Sequence, residues 1–143
     1  MTNHTNLYVK KLHIDAILPQ RKSAEAAGYD ISALYDVSID AYGTQLVSTG
    51  LSFTVPSGTY GQLAPRSGLS CKGVHVGAGV IDRDYTGEVK VLLFNLSGNE
   101  IHLKATDRIA QLIIKKIETP IVVEVDELRS TERGDGGFGS TGG

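Results

Sequence analysis

With 143 residues, 41% hydrophobic and 21% charged, the chain is long enough for one domain with a real core and too short for two comfortable ones. Its 14 Lys and Arg against 16 Asp and Glu leave a net charge of −2, which argues against a general nucleic-acid or anionic-membrane surface and requires any anionic ligand to be held by local cations or a metal. The single cysteine, Cys71, excludes an internal disulfide, and no stretch approaches the roughly 18–20 apolar residues of a membrane-spanning helix.

The first residues, MTNHTNLYVKKLHIDA, hold no apolar run of signal-peptide length, so the chain reads as intracellular, cytoplasmic or nuclear. The glycosylation-type triplets at Asn3 and Asn95 then carry no such meaning. Short Val-, Ile- and Leu-rich runs punctuated by Gly, Pro, Asp and Ser predict an all-β domain. In chain order the expected strands are 7–10, 37–39, 44–55 with a break near Gly50, 60–64, 74–81, 88–95, 101–103, 109–116 and 121–125. Only residues 22–27 have modest helical propensity, and Gly28 interrupts them. Strands of this number and length suggest a single-domain barrel or jelly-roll, because closing or doubling a sheet protects its edges. The expected division is a barrel over residues 1–128 and a flexible arm over 129–143.

Polar islands interrupt this pattern. At residues 27–30 (AGYD), Asp30 follows a glycine in a turn, where an Asp is more often a backbone cap than a metal partner. At 65–68 (PRSG), Pro65 fixes the entry to a turn and Arg66 and Ser67 are of the type that contacts phosphate; the residues alone leave an ordinary turn equally open. Residues 82–87 (DRDYTG) read as a β-hairpin loop carrying two carboxylates and a phenol. Beside it Gly77, Ala78 and Gly79 bare the backbone, so that a planar ligand can approach main-chain N–H and C=O groups. Gln111, in the run DRIAQLI, is an amide amid apolar neighbours that must find a partner or face solvent.

The last eleven residues, RGDGGFGSTGG, hold six glycines. Such a segment cannot be a core element, but it offers closely spaced N–H groups and small hydroxyls for phosphate oxygens, with Arg133 as a charged fork and Phe138 as a flat apolar face. It reads as a clamp for a nucleotide that closes over its ligand. It is not a Walker P-loop, because the lysine after the glycines is missing. His4, His13, His75 and His102 lack metal-site spacing, and Cys71 is expected to be a small buried hydrophobe.

Taken in series, AGYD, PRSG, GVIDRDYTGEV, DRIAQLI and RGDGGFGSTG resemble the five motifs of the trimeric dUTPases over residues 27–142. The resemblance implies a distorted β-barrel of the β-clip kind that hydrolyses dUTP to dUMP and pyrophosphate with Mg²⁺, as a homotrimer with active sites at subunit interfaces. By the same resemblance Asp82 binds the sugar 3′-hydroxyl and activates the attacking water, and Tyr85 lies beneath the deoxyribose and leaves no room for a 2′-hydroxyl. Gly79, Val80, Ile81 and the backbone of Lys90 pair with the uracil edge. Arg66, Ser67 and Gly68 hold phosphates from a neighbouring subunit, Gln111 reaches an oxygen near the α-phosphate, and Asp30 touches Mg²⁺ through water. In the arm, Phe138 stacks on uracil, Arg133 pairs with the terminal phosphate, and Gly139, Ser140 and Thr141 wrap the polyphosphate.

Four positions depart from the family pattern: Ser70 stands where alanine is common, Thr86 where arginine is, Thr106 where glycine often precedes the Asp-Arg pair, and Asp135 where the arm usually has a small neutral residue. Two alternatives are a dCTP deaminase on the related fold, which is generally longer and needs a further proton-shuttling carboxylate, and a non-catalytic nucleotide-binding homologue.

Overall fold

The computed structural model describes residues 5–139. Ten strands and one short helix follow in the order β1 (Tyr8–Lys11), β2 (Tyr29–Ser32), β3 (Val37–Ile39), β4 (Thr44–Thr54), β5 (Thr59–Ala64), α1 (Ser67–Cys71), β6 (Val74–Gly77), β7 (Val80–Ile81), β8 (Val89–Asn95), β9 (Ile101–Leu103) and β10 (Arg108–Lys116). Two four-stranded antiparallel sheets, ordered β1-β4-β8-β6 and β2-β10-β5-β7, and the pair β3-β9 make up the all-β fold. Among the described residues no helix is long and apolar enough to cross a membrane.

The sheets face one another through alternating side chains. Along β8 the residues are buried at every second position, Val89, Val91, Leu93 and Asn95. Val47 and Phe53 of β4 join these from the same sheet, and Ile31, Leu63, Ile109 and Leu112 meet them from the other in one core cluster. Each such side chain contributes about 1.5–3 kcal/mol on burial. Asn95, only 1% exposed, is the polar exception. Its amide nitrogen donates to the carbonyls of Ile39 (3.1 Å), Asp40 (3.1 Å) and Asn99 (2.8 Å), and its oxygen accepts from the N–H and hydroxyl of Ser97. The glycosylation-type triplet there is thus a buried structural knot.

Several elements differ from expectation. Residues 74–81 are not one strand. Ala78 takes a φ of +45°, the chain turns, and β6 stays on β8 while β7 crosses to pair with β5. Residues 78–88 therefore form a finger that bridges the two sheets rather than a simple hairpin loop. AGYD runs into a strand, since Tyr29, Asp30, Ile31 and Ser32 pair with β10. PRSG opens a five-residue helix with no buried residues, and Cys71 at its end is exposed rather than buried. Residues 22–27 are not helical, and 121–125 form no strand, because nothing among the described residues pairs with them. The expected break near Gly50 is a bulge: β4 runs through it, with the register to β8 shifting between Ser48 and Leu51.

Candidate active site

The finger positions the first group of site residues. Ala78, Val80, Ile81, Asp82, Tyr85 and Lys90 line a cavity of about 310 Å³, with Leu46, Glu88 and Val89 completing it. Val80, Asp82, Tyr85 and Lys90 are exposed, while Ile81 is turned into the core and anchors the strand. Gly79 lies against β5: its carbonyl accepts from the Leu63 N–H at 2.8 Å, and a Cβ there would come within 2.5 Å of the Leu63 carbonyl oxygen. Only glycine fits, so the bare backbone suggested by VGAGV is real at this point. The Tyr85 hydroxyl donates to the carbonyl of Glu88 at 2.6 Å, which folds the ring over Gly87. Such a recess has room for a nucleobase and sugar, with the Asp82 carboxylate, which has no hydrogen bond or ion pair among the described residues, beside it.

A second group gathers where β2, β5 and β10 meet. Asp30 lies between two arginines: it is ion-paired to Arg66, with Nε 3.5 Å from Oδ1, and accepts a hydrogen bond from Arg108 at 3.3 Å through Oδ2. Arg66 also donates to the Arg108 carbonyl at 3.2 Å. Gln111 resolves its buried-amide problem by donating to the Pro65 carbonyl at 3.0 Å, at the entry to the Arg66 turn. Asp30 thus orients two guanidiniums side by side at this junction. Arg108 had no role assigned from the sequence; the signal for it was a charge three residues before Gln111 on the same strand. Ser67 and Gly68 are exposed at the start of α1, and a Cβ on Gly68 would meet nothing within 4 Å. Packing within the chain therefore does not require that glycine, and a close-lying ligand would.

Among the described residues no hydrogen bond or ion pair joins these two groups. In the arm, Arg133 donates through Nε to the Gly136 carbonyl in a tight turn, and Phe138 is fully exposed with a φ of +51°. Gly139 follows with a φ of +80°, and Ser140 and Thr141 lie outside the described residues.

Among the described residues no three His, Cys, Asp or Glu side chains cluster to hold a metal. With Asp30 already paired to two arginines, a hard cation such as Mg²⁺ would take its main ligands from phosphate and water here, with Asp30 reaching it only through the water shell.

A base-sized recess beside an exposed carboxylate, on a β-fold that separately orders two arginines, has the shape and charge for a nucleoside phosphate. The profile of the dUTPase family matches residues 15–142. The chain is 58% identical over 135 residues to the deoxyuridine 5′-triphosphate nucleotidohydrolase of Arabidopsis thaliana, covering 94% of this chain and 81% of that one. It is 54% identical over 143 residues to the enzyme of the same name from Saccharomyces cerevisiae, covering 99% and 97%. In three dimensions it superposes on the Staphylococcus bacteriophage 80alpha dUTPase with dUPNHPP at a TM-score of 0.89 and 30% identity, over 96% of this chain and 98% of that one. The chain belongs to the dUTPase family. Neither the deaminase nor the non-catalytic alternative is favoured by these matches.

Proposed function

We propose that the chain hydrolyses dUTP to dUMP and pyrophosphate by attack of water on the α-phosphorus, with Asp82 as the general base, which limits uracil incorporation into DNA and supplies dUMP. As a dUTP diphosphatase of this family it breaks the bond between the α-phosphorus and the oxygen bridging to the β-phosphorus. The observation that carries the assignment of roles is the cavity in which Asp82 and Tyr85 stand beside the main chain of Val80, Ile81 and Lys90. Gly79, Val80, Ile81 and the Lys90 backbone read the uracil edge, Tyr85 backs the deoxyribose, and Asp82 holds the 3′-hydroxyl and takes a proton from water. Arg66, Ser67 and Gly68 bind phosphate oxygens, and Gln111 fixes that turn through Pro65 while facing the α-phosphate. Phe138, Arg133, Gly139, Ser140 and Thr141 close over base and phosphates and exclude water.

Asp30 is the residue that would hold the Mg²⁺ hydration shell. Bound through the phosphates, the ion supplies charge neutralisation to the triphosphate.

The working assembly is a homotrimer with shared sites. Supporting this, Ile121, Val122, Val123, Val125 and Leu128 are exposed apolar residues with no strand partner among the described residues, and Val122 is 95% exposed. An apolar segment of this kind calls for the sheet of another copy. Assembly also gives a reason for the separation of the finger from the Asp30 group: each site is completed by a neighbouring subunit.

The test is pyrophosphate release from dUTP, UTP, dTTP and dCTP with Mg²⁺. Turnover confined to dUTP supports the reading, and equal turnover of all four contradicts it.

A further inference from the structure

Side chains of the β4 bulge and the base of the finger are tied together at three points. The bulge places Thr49 and Gly50 outside the regular ladder between Ser48 and Leu51. Gly50 takes a φ of +71°, and its freed N–H donates to Glu88 Oε2 at 2.9 Å. The Thr49 hydroxyl donates to the Val89 carbonyl at 2.6 Å, and the Ser52 hydroxyl donates to the Thr86 carbonyl at 2.8 Å. Residues 86, 88 and 89 are thereby fixed to β4, but only Glu88 is fixed through its own side chain.

Tyr85 depends on that anchorage. The Glu88 carbonyl accepts its hydroxyl, and a Cβ on Gly87 would stand 2.6 Å from the phenol oxygen. Ring position is thus set by the backbone at 87 and 88, which the part-buried carboxylate of Glu88 pins to Gly50. A carboxylate accepting a main-chain N–H makes a stronger bond than a neutral acceptor, and its loss frees both groups together.

We propose that Glu88 is a positioning residue for sugar selection: its carboxylate, bonded to the bulge at Gly50, holds the carbonyl that sets the Tyr85 ring. The proposal rests on the reading of Tyr85 as the wall that excludes a 2′-hydroxyl. Exclusion by a wall needs the wall held still, because a ring free to swing admits the larger sugar at little cost. Glu88 touches no reacting atom in this role.

The measurement is the ratio of kcat/KM for dUTP to that for UTP, with the thermal midpoint, in the wild type and in Glu88→Ala, Glu88→Gln, Glu88→Asp and Tyr85→Ala. Glu88→Ala is expected to lower the ratio about tenfold, the scale of one charge-assisted hydrogen bond. Glu88→Asp, one methylene too short to reach Gly50, should lower it similarly, while Glu88→Gln, which keeps an oxygen acceptor at the right length but without the charge, should lower it clearly less than Asp does. Tyr85→Ala should remove most of the discrimination. If Glu88→Ala does not fold, the contrast between Gln and Asp decides. A lowered midpoint with an unchanged ratio in Glu88→Ala or Glu88→Asp overturns the proposal, as does a Gln variant as impaired as Asp. A Tyr85→Ala variant that still rejects UTP overturns the wall itself, and the proposal with it.

Discussion

Gly28 and Gln111 interlock: a Cβ on Gly28 would overlap the Gln111 amide oxygen and lie 2.9 Å from its Cβ. Gln111 sits at the centre of the sheet, opposite Asp30 on β2 and Ala64 on β5, and reaches the Pro65 carbonyl from there. Gly28→Ala would therefore push the amide off Pro65 and loosen the turn that carries Arg66. Overpacking of this kind costs about 1–3 kcal/mol. The expected result is a thermal midpoint several degrees lower and a KM for dUTP about tenfold higher. Adding Gln111→Ala removes the clash with the amide but not the one with the Cβ, so it should restore only part of the midpoint and none of KM, which steady-state kinetics and thermal unfolding will check.

Asn95 should be among the costliest side chains to remove. Asn95→Ala deletes three donated bonds and leaves the Ile39 carbonyl without that donor in a buried setting. A loss of about 2–4 kcal/mol is expected, read as a drop of roughly 5–10 °C in the midpoint. Activity measured well below that temperature should change little, because Asn95 joins β8 to the β3-β4 connection, away from both site groups.

Thr106 stands at a φ of +77°, a left-handed conformation that strains a β-branched residue. It lies exposed in the turn before β10, where its N–H donates to the Ala33 carbonyl at 2.9 Å. Thr106→Gly removes the strain while adding freedom to the unfolded chain, so a net gain of about 0.5–1 kcal/mol is expected. Differential scanning calorimetry should show a midpoint raised by about 2 °C.

Phe138 is fully exposed, with no packing to lose on mutation. Phe138→Ala should leave the midpoint within about 1 °C of wild type. Stacking of an aromatic ring on a base is worth about 1–3 kcal/mol, so KM for dUTP should rise about tenfold or more. Fluorescence or calorimetric titration of a non-hydrolysable dUTP analogue will separate this loss of binding from any change in turnover.

Much of the barrel was legible because alternation on one face is a local signal. Residues 37–39 and 101–103 are strands at the expected bounds, and β8 differs from its expected run by one residue. What was not legible depended on partners distant in sequence. β2 is four residues long and looked like a turn until β10 paired with it. The 74–81 run divided because Ala78 turns its end toward β5. Residues 121–125 have the composition of a strand but no ladder among the described residues. At the candidate site the closeness of Asp82, Tyr85 and a bare backbone could be read from the chain, but the finger itself could not, because it forms only when β7 leaves β6 to pair with β5. The grip of Asp30 on Arg66 and Arg108 could not, because it joins residues 36 and 78 positions apart.

The central claim is that Asp82 activates water and does not merely bind. Its most direct test is Asp82→Asn, with kcat for dUTP measured beside the dissociation constant of α,β-imido-dUTP. Asparagine keeps the size and can still bond the 3′-hydroxyl, so the account predicts a kcat lower by about 100-fold or more and an affinity within about fivefold of wild type. A variant that retains its turnover, or one that loses affinity as steeply as turnover, would contradict it.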